Sequence, residues 1–247
     1  MPPRPMTDRY FVETPISGRQ AVLSGPEAHH LIHVMRAKRG TAVVLFDGSG
    51  AEFAAEVEQV DRREVALAIL RRDEVDRELP LEVTLGVAMP KGDRQRWLIE
   101  KAVELGVARV VPLRTARSVA QPVRQALDRL RRAVIEASKQ CGRNRMMQVA
   151  QPRDWPDFVA ETSDVPLRLL AHPTGGEGLA DVLPRADRPG GVLAAVGPEG
   201  GFTEEEVSLA MTAGWRSIDL GPRTLRVETA AILLAGILAV RFGPLAD

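Results

Sequence analysis

The stretch Val192-Leu-Ala-Ala-Val196-Gly-Pro-Glu-Gly-Gly201-Phe-Thr203-Glu-Glu-Glu206 decides how the larger part of the chain is read. Val192–Val196 has the length and composition of a strand. Gly197, Gly200 and Gly201 then let the backbone adopt positive φ and approach a ligand closely. Thr203 and Glu206 stand at capping-box spacing, so a helix is expected from Thr203 to Ala213. The glycine spacing alone also fits an ordinary strand-to-helix turn, and Glu199 fits either a ligand contact or plain solvation.

The same alternation extends outward in both directions. Strands are expected at Leu81–Ala88, Arg109–Leu113, Leu167–Ala171 and Ser217–Leu220. Helices are expected from about Asp93 to Leu105, from Pro122 to Gln140 and from Glu228 to Phe242. Gly106 sits where a C′ glycine ends the first of these. Val123, Ala126, Leu127, Leu130, Val134 and Ala137 form one apolar stripe on the second. Alternating strand and helix predicts an α/β domain with a largely parallel sheet. Ligands bind beyond the carboxyl ends of such strands. Three such ends carry unusual residues: Leu170-Ala-His-Pro173, Gly197-Pro-Glu-Gly-Gly201 and Leu220-Gly-Pro-Arg-Thr-Leu-Arg-Val-Glu-Thr229. A carboxylate at Glu228 suits a helix N-terminus whatever its role. A cation there is disfavoured, so Arg226 is assigned to function.

The first 75 residues read differently. Short strands are expected at Tyr10–Val12, Gln20–Leu23, Ala42–Phe46, Ala51–Val60 and Val65–Leu70, with turns at Asp47–Gly50 and Asp61–Glu64. One helix, about Pro26 to Met35, interrupts them. Such a set predicts a small β-barrel over 1–75, with Arg71–Pro80 as a charged linker and the α/β domain over 80–247.

Composition narrows the functional classes. The chain of 247 residues is 45% apolar and 27% charged, which is globular. Lys and Arg together match Asp and Glu at 33 each, but the distribution is uneven. Residues 1–80 carry a net −2, residues 81–155 a net +8 and residues 156–247 a net −6. A basic middle segment suits a polyanion or an ordinary solvated face. The longest apolar run, Ala230–Val240, is 11 residues, short of the roughly 20 needed to span a bilayer. Met1–Met6 lacks the apolar core of a secretory signal. A single cysteine, Cys141, excludes an internal disulfide and reads as a small packed hydrophobe. A cytoplasmic protein is expected.

No P-loop is present, and Gly48-x-Gly50 falls in a hairpin rather than before a helix, so common nucleotide fingerprints fail. His29 and His33 are spaced as two ligands on one helix face. No HExxH pattern accompanies them, and packing or surface roles are expected instead of a metal. Trp97, Trp155 and Trp215 are expected in the core.

Taken together, Arg9-Tyr-Phe11, His30-Leu-Ile-His-Val-Met-Arg36 with Gly40, Leu45-Phe-Asp-Gly48, Lys91-Gly-Asp-Arg94, Glu100–Val107, Arg117-Ser118, Gln140-Cys-Gly-Arg-Asn144, His172-Pro173 and the two later loops resemble the RsmE family. These are 16S ribosomal RNA (uracil-N3)-methyltransferases of the SPOUT superfamily. The resemblance runs from about Arg9 to Phe242. It implies a PUA-like β-barrel that docks RNA, followed by a SPOUT α/β domain with a deep trefoil knot. It also implies S-adenosylmethionine as methyl donor, a homodimer, and 16S ribosomal RNA, within the small subunit, as partner.

By the same resemblance the cofactor would be held by Leu170, Ala171, His172, Pro173, Gly197, Pro198, Glu199, Gly200, Gly201, Leu220, Gly221, Leu225, Arg226, Val227 and Thr229. Arg226 and Arg9 are the candidate catalytic cations, Arg9 with the option of acting across the dimer. Glu228 would orient an arginine or take a proton. RNA contacts are expected from Arg9, Arg36, Lys91, Arg94, Arg117, Arg143 and Asn144. Val227 departs from the family's usual Thr, and Met146-Met147 from a commonly proline-containing step. Two other readings remain open: an RNA-binding assembly factor that keeps the fold without activity, and a nucleotide-dependent enzyme for small molecules, which the missing phosphate fingerprints disfavour.

Overall fold

The structure is a computed structural model that describes residues 8–118, 124–161, 164–173, 176–183 and 190–243. The start expected for the second long helix, Pro122 and Val123, lies outside them. The chain divides into two compact units, Met1–Glu78 with Ser138–Met146, and Leu79–Ala137 with Met147–Asp247. The segment 138–146, which the sequence places in the second domain, packs with the first unit.

The first unit holds β1 (Arg9–Phe11), β2 (Gln20–Leu23), α1 (Gly25–His29), β3 (Ala42–Phe46), β4 (Ala51–Val60) and β5 (Val65–Glu74). Its sheet runs β1-β3-β4-β5-β2, with β1 parallel to β3 and the other pairs antiparallel. Two register shifts between β4 and β5 bend and twist these long strands, so the sheet curls. β1 and β2 are its edges, so the expected small barrel takes the form of a half-barrel. The curled face encloses Tyr10, Leu23, Leu31, Leu45, Phe53, Val57 and Leu67, all at most 3% exposed. The alternation in β2 explains the inward set: Ala21 and Leu23 are buried while Gln20 and Val22 face out.

Arg71–Pro80 is not a free linker. β5 runs on through Glu74, and Arg77 and Glu78 are tied down by ion pairs described below. α1 continues as a π-helical turn, His30–Val34. Arg36, just beyond it, has φ +53°, the one positive-φ residue other than glycine among the described residues. The Ala37 N–H reaches the Leu31 carbonyl at 3.1 Å across it, the closing bond of a glycine-type helix end. An arginine in that conformation costs about 1–2 kcal/mol.

The second unit holds β6 (Glu82–Val87), α2 (Arg94–Glu104), β7 (Arg109–Arg114), α3 (Arg124–Cys141, whose last residues count with the first unit), β8 (Gln148–Val149), β9 (Arg153–Asp154), α4 (Trp155–Glu161), β10 (Leu167–Ala171), β11 (Glu177–Gly178), α5 (Leu179–Val182), β12 (Gly191–Val196), α6 (Glu204–Thr212), β13 (Arg216–Asp219) and α7 (Val227–Phe242). The parallel sheet runs β11-β13-β10-β12-β6-β7-β8, with β9 paired to β7. Every residue of β12 is buried, as a central parallel strand covered on both faces requires. α7 packs on β6 and β12 and against α2.

On the opposite face Trp155, Phe158, Phe202 and Trp215 form one aromatic cluster, with Trp155 4.6 Å from Phe202 and 5.5 Å from Trp215 between ring centroids. Trp97 departs from expectation: it is 44% exposed on α2. Cys141 is only partly buried. Gly106 ends α2 at φ +78° as expected. A Cβ there would also lie 2.9 Å from Leu79 Cγ, so glycine is needed twice over.

Candidate active site

The site follows from the strand order. Apart from the two-residue edge strand β11, the chain passes from β10 to β12 on one side and then to β13 on the other, so the order of the longer strands reverses at β10. Ligand crevices form at such reversals, outside the carboxyl ends. The loops after β10, β12 and β13 therefore meet, and a cavity of about 220 Å³ lies among them. All three loops singled out in the sequence contribute to its wall. Ala171, His172, Pro173, Gly197, Pro198, Glu199, Gly200, Gly201, Leu220, Gly221, Leu225 and Val227 line it.

Three expected residues do not line the cavity. Leu170 is fully buried in the core, and the side chains of Arg226 and Thr229 are exposed beside it. Val196, Phe202, Asp219, Arg223, Thr224 and Ala230 line it without having been expected. Most sit one or two positions from a predicted contact, and a strand end contributes alternate residues that a loop motif does not mark.

Local chemistry fixes each wall. The Gly221 N–H donates to Asp219 Oδ1 at 2.8 Å, and Gly221 has φ +110°. Only glycine enters that region at low cost. The Gly201 N–H closes a turn onto the Pro198 carbonyl at 2.8 Å. The capping box on α6 is complete: the Glu206 N–H donates to Thr203 Oγ1 at 3.2 Å and the Thr203 N–H to Glu206 Oε2 at 2.9 Å. Glu206 also accepts from the Ala116 N–H at 2.8 Å, and Arg117 donates to the Gly200 carbonyl at 2.7 Å. The loop after β7 thus braces the glycine loop, a role that charge pattern alone did not assign to Arg117.

Glu228 is 6% exposed in the first turn of α7. Its Oε1 faces Arg94 Nη1 at 3.4 Å, and its buried Oε2 has no hydrogen-bond partner. Arg94 Nη2 also lies 3.7 Å from Glu199, on the cavity wall. Arg94, half-buried, is therefore the arginine that Glu228 pairs with.

Other expected RNA contacts separate by exposure. Arg36, Lys91 and Arg117 are exposed. Arg143 and Asn144 are 4% and 2% exposed within the first unit, where Arg143 grips the Glu78 carboxylate through Nε and Nη2 and Asn144 accepts from Arg9. Arg9 pairs with Glu52 at 2.9 Å and lies over the Phe46 ring. All three side chains are engaged by partners within the first unit. The buried guanidiniums have local partners that sequence spacing, at 65 residues for Arg143 and Glu78, could not display. The rings of His29 and His33 lie 4.6 Å apart. Among the described residues no group of three or more His, Cys, Asp or Glu side chains is placed to hold a metal ion.

A curled sheet followed by a parallel α/β unit with its cavity at the strand reversal is an architecture that known proteins share. Residues 77–239 match the RNA methyltransferase domain, and residues 23–70 the RNA methyltransferase PUA domain. A relative from Synechocystis, ribosomal RNA small subunit methyltransferase E, is 33% identical over 88% of this chain and 72% of its own. A Legionella pneumophila protein described as a methyltransferase in complex with the bound cofactor SAM superposes with a TM-score of 0.87 at 34% identity, covering 95% of this chain and 97% of that one. Ribosomal RNA small subunit methyltransferase E from Neisseria gonorrhoeae, bound to S-adenosyl methionine, gives 0.85 at 28% identity over 95% and 97%. The chain belongs to the ribosomal RNA small subunit methyltransferase E family.

Proposed function

We propose that the chain methylates N3 of a specific uridine in 16S ribosomal RNA with S-adenosylmethionine as donor. The observation that carries this is the meeting of three loops, after β10, β12 and β13, on one cavity whose lining holds both signs of charge. Glu199 and Asp219 suit the sulfonium and ammonium groups of the donor, and Arg223 suits its carboxylate. Gly201 and Gly221 present positive-φ backbone with open space where a Cβ would begin, so the wall accepts a close ligand there.

When bound, S-adenosylmethionine supplies an electrophilic methyl group on a sulfonium. The protein's task is to present an electron-rich nitrogen in line with it. Uracil N3 carries a proton at neutral pH, so its nucleophilic form is the imide anion. An arginine at the carbonyl oxygens stabilises that anion. Arg226 has an exposed side chain at the N-cap of α7, between the cavity residues Leu225 and Val227. Glu228 keeps Arg94 at the same end of α7. Val227 is 3% exposed, and its contribution is apolar packing where the family usually has a hydroxyl.

The reading includes a trefoil knot in the second unit and a homodimer. α7 supports the dimer: between Ala230 and Val240 it is apolar on every face, and Leu233 and Val240 are exposed, with Trp97 exposed on the neighbouring α2. A helix apolar all round is ordinarily covered. The reading places the enzyme in the cytoplasm with its RNA, and no helix among the described residues is long and apolar enough to cross a membrane.

Calorimetry should detect stoichiometric binding of S-adenosylmethionine, and mass spectrometry of ribosomal RNA from a strain lacking the protein should lack one methyl on one uridine. No heat of binding together with fully modified RNA would defeat the reading. Arg226→Ala should keep donor affinity and lose about 10²-fold or more in single-turnover methyl transfer. Full activity in that variant would remove Arg226 from the chemistry.

A further inference from the structure

The turn after α1 combines three features that folding alone does not require. It is π-helical over His30–Val34, a geometry that gathers at functional sites. Val34 and Met35 at its end are 60% and 43% exposed. Arg36 then holds a backbone conformation, φ +53°, that glycine would adopt more easily. Strain kept at one residue points to a use for its side chain. Lys38 and Arg39 are exposed just beyond, and no acidic residue occurs between Glu27 and Asp47.

We propose that Val34 and Met35 form an apolar wedge which enters a stacked step of the ribosomal RNA, with Arg36, Lys38 and Arg39 gripping the phosphates on either side. The proposal rests on the ribosomal RNA reading above and deepens it. Uracil N3 lies on the Watson–Crick edge, so the target must leave any pair or stack before it can react. Apolar side chains inserted between bases hold such a step open in proteins that deform nucleic acid. The flanking cations supply the charge complement that selects a polyanion. The left-handed turn at Arg36 points successive side chains apart, so one short tip carries both the wedge and a phosphate contact.

The test uses the full chain with 16S ribosomal RNA and labelled S-adenosylmethionine. Val34→Ser with Met35→Ser changes two exposed side chains and should leave the melting temperature and donor affinity unchanged. Single-turnover methylation should fall about tenfold or more, since an unstacked step is no longer held. Arg36→Gly should melt no earlier than the parent while RNA affinity falls and the slope of log affinity against log salt drops by about one. A doubly substituted protein with parental rate and affinity would overturn the wedge. So would loss of binding to anionic phospholipid vesicles with methylation intact, which would assign the tip to a lipid surface. A parent protein that binds the donor yet never methylates the RNA would instead defeat the functional reading, and the wedge with it.

Discussion

Glu52→Ala should unfold the first unit at markedly lower denaturant, with a loss of about 3 kcal/mol, the lower end of the range for breaking a buried ion pair. Glu52 on β4 is 6% exposed. It accepts from Arg9 at 2.9 Å and from Arg77 at 3.0 Å. Both arginines also reach the Gly142 carbonyl, at 3.3 Å and 2.8 Å, and Arg9 donates to Asn144. One carboxylate thus joins β1, β4, the end of the Arg71–Pro80 stretch and the returning segment 138–146. Its removal leaves the Arg9 guanidinium, 14% exposed, without a counter-charge. Arg77 is 39% exposed and adds little, because water screens it.

The same node sets an acid response. Burial pushes the Glu52 carboxyl upward, and the hydrogen bonds from Arg9 and Arg77 more than offset it, leaving it below its ordinary value of 4.5. A carboxylate depressed in the folded state stabilises fully above its unfolded value. That contribution fades as pH falls from about 4.5 through the folded value. Unfolding of the parent should therefore steepen in that acid window, and Glu52→Gln should flatten it. A Glu52→Gln curve parallel to the parent's would show that the carboxylate carries no linkage.

What was legible in the sequence is what has a local signature. The apolar run before Gly197, the Thr203–Glu206 box and the glycine after α2 each encode structure within a few residues, and each reappears in place. The three cavity loops were legible for the same reason, since ligand-bearing loops follow strand ends. What was hidden depends on partners far apart in the chain. The return of 138–146 rests on Arg143 with Glu78 and Asn144 with Arg9, and no periodicity records such pairs. α4, only seven residues long, is held by its aromatic side chains rather than by helix-forming pattern. Trp97, scattered from the other tryptophans, reads as core in the sequence, but it and Arg96 beside it are exposed on α2. A basic residue in a family motif likewise does not display its burial, and Arg36 is exposed where Arg143 is 4% exposed against Glu78.

Gly197→Ala should cost at least tenfold in affinity for S-adenosylmethionine and more in single-turnover transfer. Gly197 begins the loop that follows β12, and its backbone lies against Phe202. A Cβ there would stand 2.9 Å from Phe202 Cδ2 and Cε2 and 3.3 Å from its amide nitrogen. Contacts that short force a displacement, and the ring is the part least able to yield. Phe202 is 4% exposed and packed on Trp155 within the aromatic cluster. The loop must move instead, carrying Pro198, Glu199 and Gly200 out of register with the other two cavity walls and straining the Arg117 bond to Gly200. Displacements near 1 Å can cost about 10²-fold in catalysis, which sets the larger expected loss in transfer. Gly190→Ala, with open space around its Cβ and ordinary backbone, should behave as the parent. Adding Phe202→Leu to Gly197→Ala should restore part of the donor affinity, because the smaller side chain vacates the ring's edge, and a double-mutant cycle would measure that coupling. Parental donor affinity in Gly197→Ala would mean that this loop is not a wall of the donor site.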